Sequence, residues 1–267
     1  MTFLHQPRGF GQRFGLCASA LLATAALSSA HISYTGRNFN ADPNFGVSTV
    51  TISNQAVTGS YGWADGTDAD YGDSHKLRAF RFTLTYDASV TITVKDTAIG
   101  STSAAGLLPG FSVYSGLAHL SPQKADHDFS AASIASRPAE TEGSFRALTG
   151  WTVWNDGPEF DPSYPAAGET VFGFKGYAVD GTAANFGGVS GITGDGPADG
   201  FVSGTFLLGP GDYTIFVGGA DYAAGSIGAA TSYGINTTLN VVPVPEPAVP
   251  LLSGLSLAGV ILRRRRA

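Results

Sequence analysis

The sequence is poor in the residues that catalytic and metal centres most often use. Its 267 residues include one cysteine and five histidines, and charged residues make up only 13% of the chain, about half of the ~25% usual in globular proteins. The cysteine, Cys17, lies in a segment that we predict to be removed. A thiol redox centre, a cysteine-ligated zinc site and a disulfide framework are therefore excluded for the mature chain.

Catalytic motifs are also lacking. The body of the chain contains no G-x-S-x-G nucleophile elbow, no H-E-x-x-H helix and no phosphate-binding Walker loop. Glycoside hydrolysis needs two carboxylates at a defined separation, and the sequence does not single out such a pair among its 21 acidic residues. We therefore predict that the protein is not an enzyme.

Positive charge is scarce outside the two ends of the chain. Six of the 15 lysine and arginine residues lie in the terminal segments, at Arg8, Arg13 and 263–266, and the whole chain already has a formal net charge of −6. The body between them is more acidic still, and an acidic surface repels nucleic acid and anionic membranes. Cations and neutral polymers are the expected partners, and nucleic acid is not.

The first 30 residues have the three parts of a secretory signal peptide. Arg8 and Arg13 supply a positive region, an uncharged apolar stretch follows at 16–27, and small residues at Ser28 and Ala30 suit signal peptidase. An N-terminal anchor helix is the alternative, but this apolar stretch is shorter than the ~20 residues that span a bilayer. We predict a signal peptide over 1–30 that signal peptidase removes after Ala30.

The other end of the chain combines a Pro-Glu-Pro tripeptide, an apolar run and a basic cluster. Pro245, Glu246 and Pro247 precede the uncharged residues 248–262, and arginines follow. A helix of that length is ~22 Å long, shorter than the ~30 Å hydrocarbon core, and the arginines hold its far end in the cytoplasm by the positive-inside rule. We predict a single transmembrane helix that leaves the body outside. The basic cluster consists of Arg263, Arg264, Arg265 and Arg266.

Together, residues 243–267 resemble the PEP-CTERM sorting signal of Gram-negative bacteria. In that family the tripeptide is read by exosortase, a membrane-embedded transpeptidase similar to cysteine proteases, and the tail is thought to be removed. The resemblance implies transient passage through the inner membrane, then release or attachment at the cell surface or in the extracellular matrix, commonly in bacteria that make exopolysaccharide. It implies no enzymatic activity, because unrelated bodies carry the signal. An ordinary tail anchor that contains the same tripeptide is the alternative.

Residues 31–242 form the candidate globular domain, and their pattern predicts β-structure. Short β-branched or aromatic runs recur between turn signals, and in 90–94 the valines and the isoleucine share one face while the threonines share the other. No long stretch has a helical period, and 36 glycines and 14 prolines suit short strands joined by turns. We predict an all-β fold, a single two-sheet sandwich of jelly-roll type.

Segments of this body resemble uncharacterised secreted proteins that carry the same sorting signal. The matching segments are 31–39, 62–70 and 114–119. No activity follows from that resemblance.

The sharpest cluster of acidic side chains is a loop early in the body. Asp65, Asp68, Asp70 and Asp73 lie within nine residues, where their carboxylates repel one another unless a cation intervenes. Calcium takes six to eight oxygen ligands at ~2.3–2.6 Å, and loops of this composition supply them. Because the EF-hand pattern is absent, a Ca²⁺ site of another kind and a solvated acidic loop are the two open interpretations.

A second copy of this loop motif occurs later in the chain. The pattern D-G-T-x-A-[DN]-[YF]-G begins at Asp65 and again at Asp180. The second copy keeps Asp180 and Asn185 as oxygen donors, with Asp195 and Asp199 nearby. Either the copies share a turn in which aspartate hydrogen-bonds the backbone two residues on, or they hold a cation.

Histidine gives one further metal hypothesis. His31 would be the first mature residue, where its amine and ring could chelate Cu(II). Such a centre also needs another histidine, and His75, His119 and His127 are the others in the body. A secreted metal-dependent enzyme would cluster His31 with one of these, whereas the acidic neighbours of His127 are more typical of a polar loop.

The three tryptophans carry the alternative of carbohydrate binding. Trp63, Trp151 and Trp154 could either fill the sandwich core or stack on the flat faces of sugars. If 151–154 is a strand, Trp151 and Trp154 lie on opposite faces, so at most one of them is fully interior. Polysaccharide binding would require an exposed, flat aromatic ring.

From these observations we predict a secreted or cell-surface non-enzymatic protein, structural or adhesive, of the exopolysaccharide or biofilm matrix. Exosortase would sort it through the C-terminal signal, polysaccharide is a candidate partner, and Ca²⁺ is the candidate cofactor. A carbohydrate-binding module is the alternative, followed by a secreted metal-dependent enzyme.

Overall fold

The computed structural model describes residues 32–64, 71–119, 144–157, 162, 165–186, 191–223 and 231–245. Within them the regular elements are β-strands and two three-residue 3₁₀ turns, so the all-β prediction is confirmed. The strands are β1 (Val50–Thr58), β2 (Tyr71–Asp73), β3 (Arg78–Leu84), β4 (Ala88–Thr97), β5 (Pro109–Ser115), β6 (Ser144–Arg146), β7 (Trp151–Asn155), β8 (Gly168–Val179), β9 (Phe201–Leu208), β10 (Gly211–Gly219) and β11 (Ser232–Pro243).

Eight of these strands pair in jelly-roll order. One antiparallel sheet has the order β1-β11-β4-β9, and the other runs β3-β10-β5-β8 and is extended at its edge by β7. Most successive strands therefore cross from one sheet to the other, as in the two Greek keys of a jelly roll. β2 and β6 form a separate two-stranded ribbon. The order agrees with the type of sandwich that the sequence predicts.

The inner faces of the two sheets enclose one core. Val90, Ile92 and Val94 of β4 are fully buried there. On the outer face of the same strand, the hydroxyls of Thr91 and Thr205 lie 2.9 Å apart across the β4–β9 pair. Period-two alternation thus accounts for both faces of this strand.

The five-stranded sheet is buried on its other face as well. Trp151, Phe172 and Phe216 form an aromatic cluster there, with ring centroids 5.1 Å apart for the first pair and 5.5 Å for the second. Phe145 of the β2–β6 ribbon packs edge-on against Trp151 at 5.6 Å. The ribbon therefore helps to cover this face as a partial third layer, which the sequence did not predict.

The predicted terminal signals lie almost entirely outside the described residues. The signal peptide over 1–30 falls outside them, and so do Glu246, Pro247 and the basic cluster, whereas Pro245 is the last described residue. In the part of the chain that is described, no helix is long and apolar enough to cross a membrane. Both terminal signals therefore stay predictions.

Candidate functional site

The first acidic loop is described only at its end. Asp65, Asp68 and Asp70 lie outside the described residues, and Asp73 caps the 3₁₀ turn Ser74–Lys76. Its carboxylate accepts a hydrogen bond from the His75 backbone N–H at 3.0 Å, and Lys76 Nζ lies 3.6 Å from Asp73 Oδ2. Burial alone would raise the pKa of Asp73, but the hydrogen bonds from His75 and the charge of Lys76 outweigh it and lower the pKa. The negative charge of Asp73 is therefore already stabilised by groups of the 3₁₀ turn that it caps.

This balance predicts a pH-dependent contribution to stability. Because the pKa of Asp73 is lower in the folded chain, its contribution is present above the unfolded pKa of about 3.9 and is lost as the pH falls through the folded value. Asp73→Asn should lower the free energy of unfolding at pH 7 by less than about 1 kcal/mol, since the pair is partly exposed. Urea unfolding from pH 7 to pH 2 should show the two proteins converging in acid, and Lys76→Gln should lose a similar amount at pH 7. A constant difference at every pH would contradict this account.

The second copy of the loop motif is a hydrogen-bonded turn. The Asp180 side chain is buried, and its two oxygens accept hydrogen bonds from the backbone N–H groups of Asp199, at 3.2 Å, and Gly200, at 2.7 Å. Burial raises the pKa of Asp180, and the charges of Asp195 and Asp199 add to the increase, against the effect of the two N–H donors. Asp180 thus fastens the end of β8 to the segment that begins β9.

The remaining oxygen donors of this copy also bind backbone groups. Asn185 Oδ1 accepts a hydrogen bond from the Thr182 N–H at 2.9 Å, and Asp195 Oδ1 accepts one from the Gly181 N–H at 3.2 Å. Among the residues with described positions, no group of three or more histidine, cysteine, aspartate or glutamate residues could hold a metal ion. Backbone hydrogen bonds therefore hold this copy, although Asp180 does not make the bond two residues on that the turn interpretation predicts. Ca²⁺ at the first loop stays a prediction.

The histidine hypothesis is only half covered by the structure. His75 lies on the 3₁₀ turn beside Asp73, and the backbone N–H of His119, after β5, donates to Asn155 Oδ1 at 3.0 Å. His31 and His127 lie outside the described residues. The clustering that a copper centre would require therefore remains untested.

The tryptophans separate into core and surface. Trp63 is fully buried and its Nε1–H donates to Ser112 Oγ at 2.8 Å, and Trp151 is 1% exposed in the aromatic cluster. Trp154 is 37% exposed. The prediction that Trp151 and Trp154 lie on opposite faces of one strand is confirmed, and Trp154 is the tryptophan that a ligand could reach.

Strand pairing places Trp154 on a surface with mixed chemistry. In the β7–β8 register, Trp154 is opposite Glu169 and Thr152 is opposite Val171, so the four side chains share one face. We call these residues the β7–β8 face. It is the side of the sheet away from the aromatic cluster, since Trp151 and Phe172 occupy the other side. The face combines a flat ring, an exposed carboxylate, a hydroxyl and a valine that is 67% exposed.

Asn155 fixes the end of the strand that carries Trp154. Its buried side chain accepts a hydrogen bond from the His119 N–H at 3.0 Å and donates to the carbonyls of Pro165, at 2.9 Å, and Ala166, at 3.0 Å. All three bonds lie on the side opposite Trp154, because neighbouring residues of a strand alternate. The backbone under the exposed ring is therefore held in place. Sequence reasoning missed Asn155, because its partners lie far along the chain.

A second group of surface aromatics has a different geometry. Tyr61 and Tyr222 meet edge-on with centroids 6.1 Å apart, and Lys76 Nζ lies 5.0 Å from the centre of the Tyr61 ring. Edge-on rings do not offer one flat platform, and the lysine already occupies one ring. Tyr61 and Tyr222 together therefore do not form a flat platform for a sugar ring.

Comparisons with known proteins do not identify this chain. No protein-family model matches it, and no curated protein is significantly similar. CorA, a surface-associated copper-binding protein important in copper acquisition by Methylomicrobium album BG8, is 18% identical with a TM-score of 0.49, over 79% of this chain and 98% of CorA. MopE, a secreted protein of Methylococcus capsulatus in which an oxidized tryptophan facilitates copper binding, is 13% identical with a TM-score of 0.41, over 76% of this chain and 86% of MopE. Similarity at this level assigns no ligand to the present chain.

Proposed function

We propose that this chain is an exported, non-enzymatic adhesive protein of the exopolysaccharide matrix that binds neutral polysaccharide through the β7–β8 face. The sequence supports export through its predicted signal peptide over 1–30 and sorting by exosortase through the PEP-CTERM-like segment 243–267. The observation that carries the binding activity is Trp154, which is 37% exposed on a strand whose end is fastened by Asn155.

The chemistry of this face suits a sugar polymer. The indole ring offers an apolar plane for the C–H face of a pyranose, because aromatic rings combine a large apolar surface with a fixed shape. Glu169 can accept hydrogen bonds from sugar hydroxyls, and the Thr152 hydroxyl can both donate and accept. Their position on two adjacent strands sets these groups beside the ring. The carboxylate and the net charge of −6 disfavour a polyanion, so the polymer is expected to be neutral.

Removing the ring should weaken binding to a neutral polysaccharide. We expect Trp154→Ala to raise the apparent Kd about tenfold, equivalent to about 1.4 kcal/mol, as measured by native electrophoresis through gels containing neutral glucans, xylans or mannans. Thermal melting should show that the variant is still folded at the temperature of the binding assay. Phe201→Ala is the matched control, since Phe201 is 43% exposed on a different strand. Equal retardation of the wild type and Trp154→Ala, or no retardation of the wild type in any gel, would contradict the proposal.

A further inference from the structure

Exposed apolar side chains concentrate at the end of the sandwich where the described chain leaves it. In the described part of the chain, five of the nine exposed large hydrophobic residues lie at this end. Two of them, Leu207 at 80% and Val47 at 85%, are almost fully open to solvent. We call the five residues the exit-end patch: Val47, Tyr86, Leu207, Val242 and Val244.

Strand register places three residues of the patch close together: Leu207 on β9, Val242 on β11 and Val244 just beyond β11. Ser89 of β4 is opposite Val242 on one side and Leu207 on the other, so both side chains point to the same outer face. The Val244 backbone N–H donates to the Asp87 carbonyl at 2.8 Å. Val244 and Leu207 then line the same surface cavity, which has a volume of about 260 Å³. Leu207 and Val242 therefore lie on either side of Ser89 on one outer face, and Val244 lies close to Leu207 at its edge.

The other two members lie at the same end of the sandwich. Tyr86 is in the turn between β3 and β4, next to Asp87. Its hydroxyl lies against Gly46, where an added Cβ atom would be only 2.8 Å away. Val47 follows Gly46 and precedes β1, whose first residue, Val50, pairs with Leu239 near the end of β11. The patch therefore surrounds the point at which the chain leaves the domain.

The chain beyond this point brings the patch close to a membrane. The apolar run 248–262 begins three residues after Pro245, and three residues span at most about 10 Å. If that run is in a bilayer, as the proposed function requires, the exit end must lie at the bilayer surface. The described charged side chains at this end include Asp42, which accepts a hydrogen bond from the Asn44 N–H, Asp87, and Asp212, which is paired in register with Thr83. Acidic groups disfavour anionic headgroups, so the surface that fits the patch is apolar and zwitterionic.

We propose that the exit-end patch rests on the membrane surface, with Leu207, Val242 and Val244 in the lipid interface and Tyr86 at headgroup level, where tyrosine is favoured. This proposal depends on the membrane segment of the proposed function. It assigns the domain a fixed orientation, in which this end faces the bilayer and Pro245 is held at its surface. It also accounts for exposed leucine and valine on an outer face that water would otherwise surround.

Site-specific fluorescence on the full chain tests the proposal. Cys17→Ser removes the only cysteine, so that Leu207→Cys can be labelled with an environment-sensitive dye and reconstituted in phosphatidylcholine vesicles. We expect a blue-shifted emission that lipids brominated in their acyl chains quench at least twofold. The same dye at Phe201→Cys, at the opposite end of β9, should stay in water and remain unquenched. Adding phosphatidylglycerol should not strengthen the quenching at Leu207.

Vesicle flotation separates the two ways in which the proposal can fail. Because residues 16–27 are also apolar, flotation is compared with that of the same chain lacking 248–267. If flotation depends on 248–267 while the Leu207 dye is unquenched, the inference is overturned and the membrane segment stays intact. A chain that does not float overturns the membrane segment, and the inference with it. A third outcome would assign the patch to a second copy of the chain and overturn the membrane contact. In that case the emission would be blue-shifted in detergent as well, brominated lipid would not quench it, and chemical crosslinking would give dimers. Quenching confined to Leu207 supports the proposal.

Discussion

Replacing Trp63 with alanine should lower the free energy of unfolding by about 4 kcal/mol, the range found for removing a buried tryptophan or phenylalanine. Trp63 has no exposed surface, and its ring lies 5.5 Å from that of Tyr177. The ring also lies against Gly110 of β5, where a Cβ atom would be 2.7 Å from it. Because Gly110 has no side chain and β5 is central in its sheet, the neighbours cannot collapse into the space that alanine would leave.

Two companion variants separate the volume of Trp63 from its hydrogen bond. Ser112→Ala removes the acceptor of the Trp63 Nε1–H and the donor to the Ala147 carbonyl, and should cost about 1 to 2 kcal/mol. Trp154→Ala should cost less than Trp63→Ala, because 37% of the Trp154 side chain is already exposed. Urea unfolding followed by far-UV circular dichroism measures all three. The core assignment of Trp63 would be wrong if its loss were no more destabilising than the loss of Trp154.

The sequence was informative wherever neighbouring residues alone decide the structure. Alternation in 90–94 predicted a strand with one buried face, and β4 (Ala88–Thr97) has that pattern because each apolar residue has a core to enter. Alternation also placed Trp151 and Trp154 on opposite faces. It could not say which of them is interior, because that depends on Phe172 and Phe216, which come from β8 and β10.

The candidate site shows the same limit more sharply. An aspartate followed two and three residues later by histidine and lysine is a local pattern, so the partners of Asp73 could have been read from the sequence. Asn155 could not, since its side chain joins segments that lie 36 and about 10 residues away. The β7–β8 face likewise depends on strand register, because only register sets Glu169 beside Trp154.

The hydrogen bonds of Asp180 could not be predicted from the residues next to it. One of the two open interpretations of this motif was a turn in which aspartate hydrogen-bonds the backbone two residues on. The structure instead gives Asp180 partners 19 and 20 residues on, at Asp199 and Gly200. The Gly200 carbonyl in turn accepts a hydrogen bond from the Asp96 N–H at 2.7 Å, at the end of β4. The Asp180 carboxylate therefore links the end of β8, in the five-stranded sheet, to the beginning of β9, in the four-stranded sheet. Gly200 continues the link to β4, the neighbour of β9 in that sheet.

Asp180→Ala should accordingly lower the free energy of unfolding by about 2 kcal/mol, because two backbone N–H groups lose a charged acceptor and water replaces it only in part. Asp180→Asn should fall between alanine and the wild type, since its single carbonyl oxygen can accept from one of the two donors. Asp195→Ala is the matched control: Asp195 is exposed and accepts one bond, from Gly181, so its loss should cost less than about 1 kcal/mol. Hydrogen exchange should localise the effect, with faster exchange at the Gly200 and Asp96 amides. Equal destabilisation by Asp195→Ala and Asp180→Ala, with unchanged exchange at Asp96, would show that the buried carboxylate does not join the two sheets.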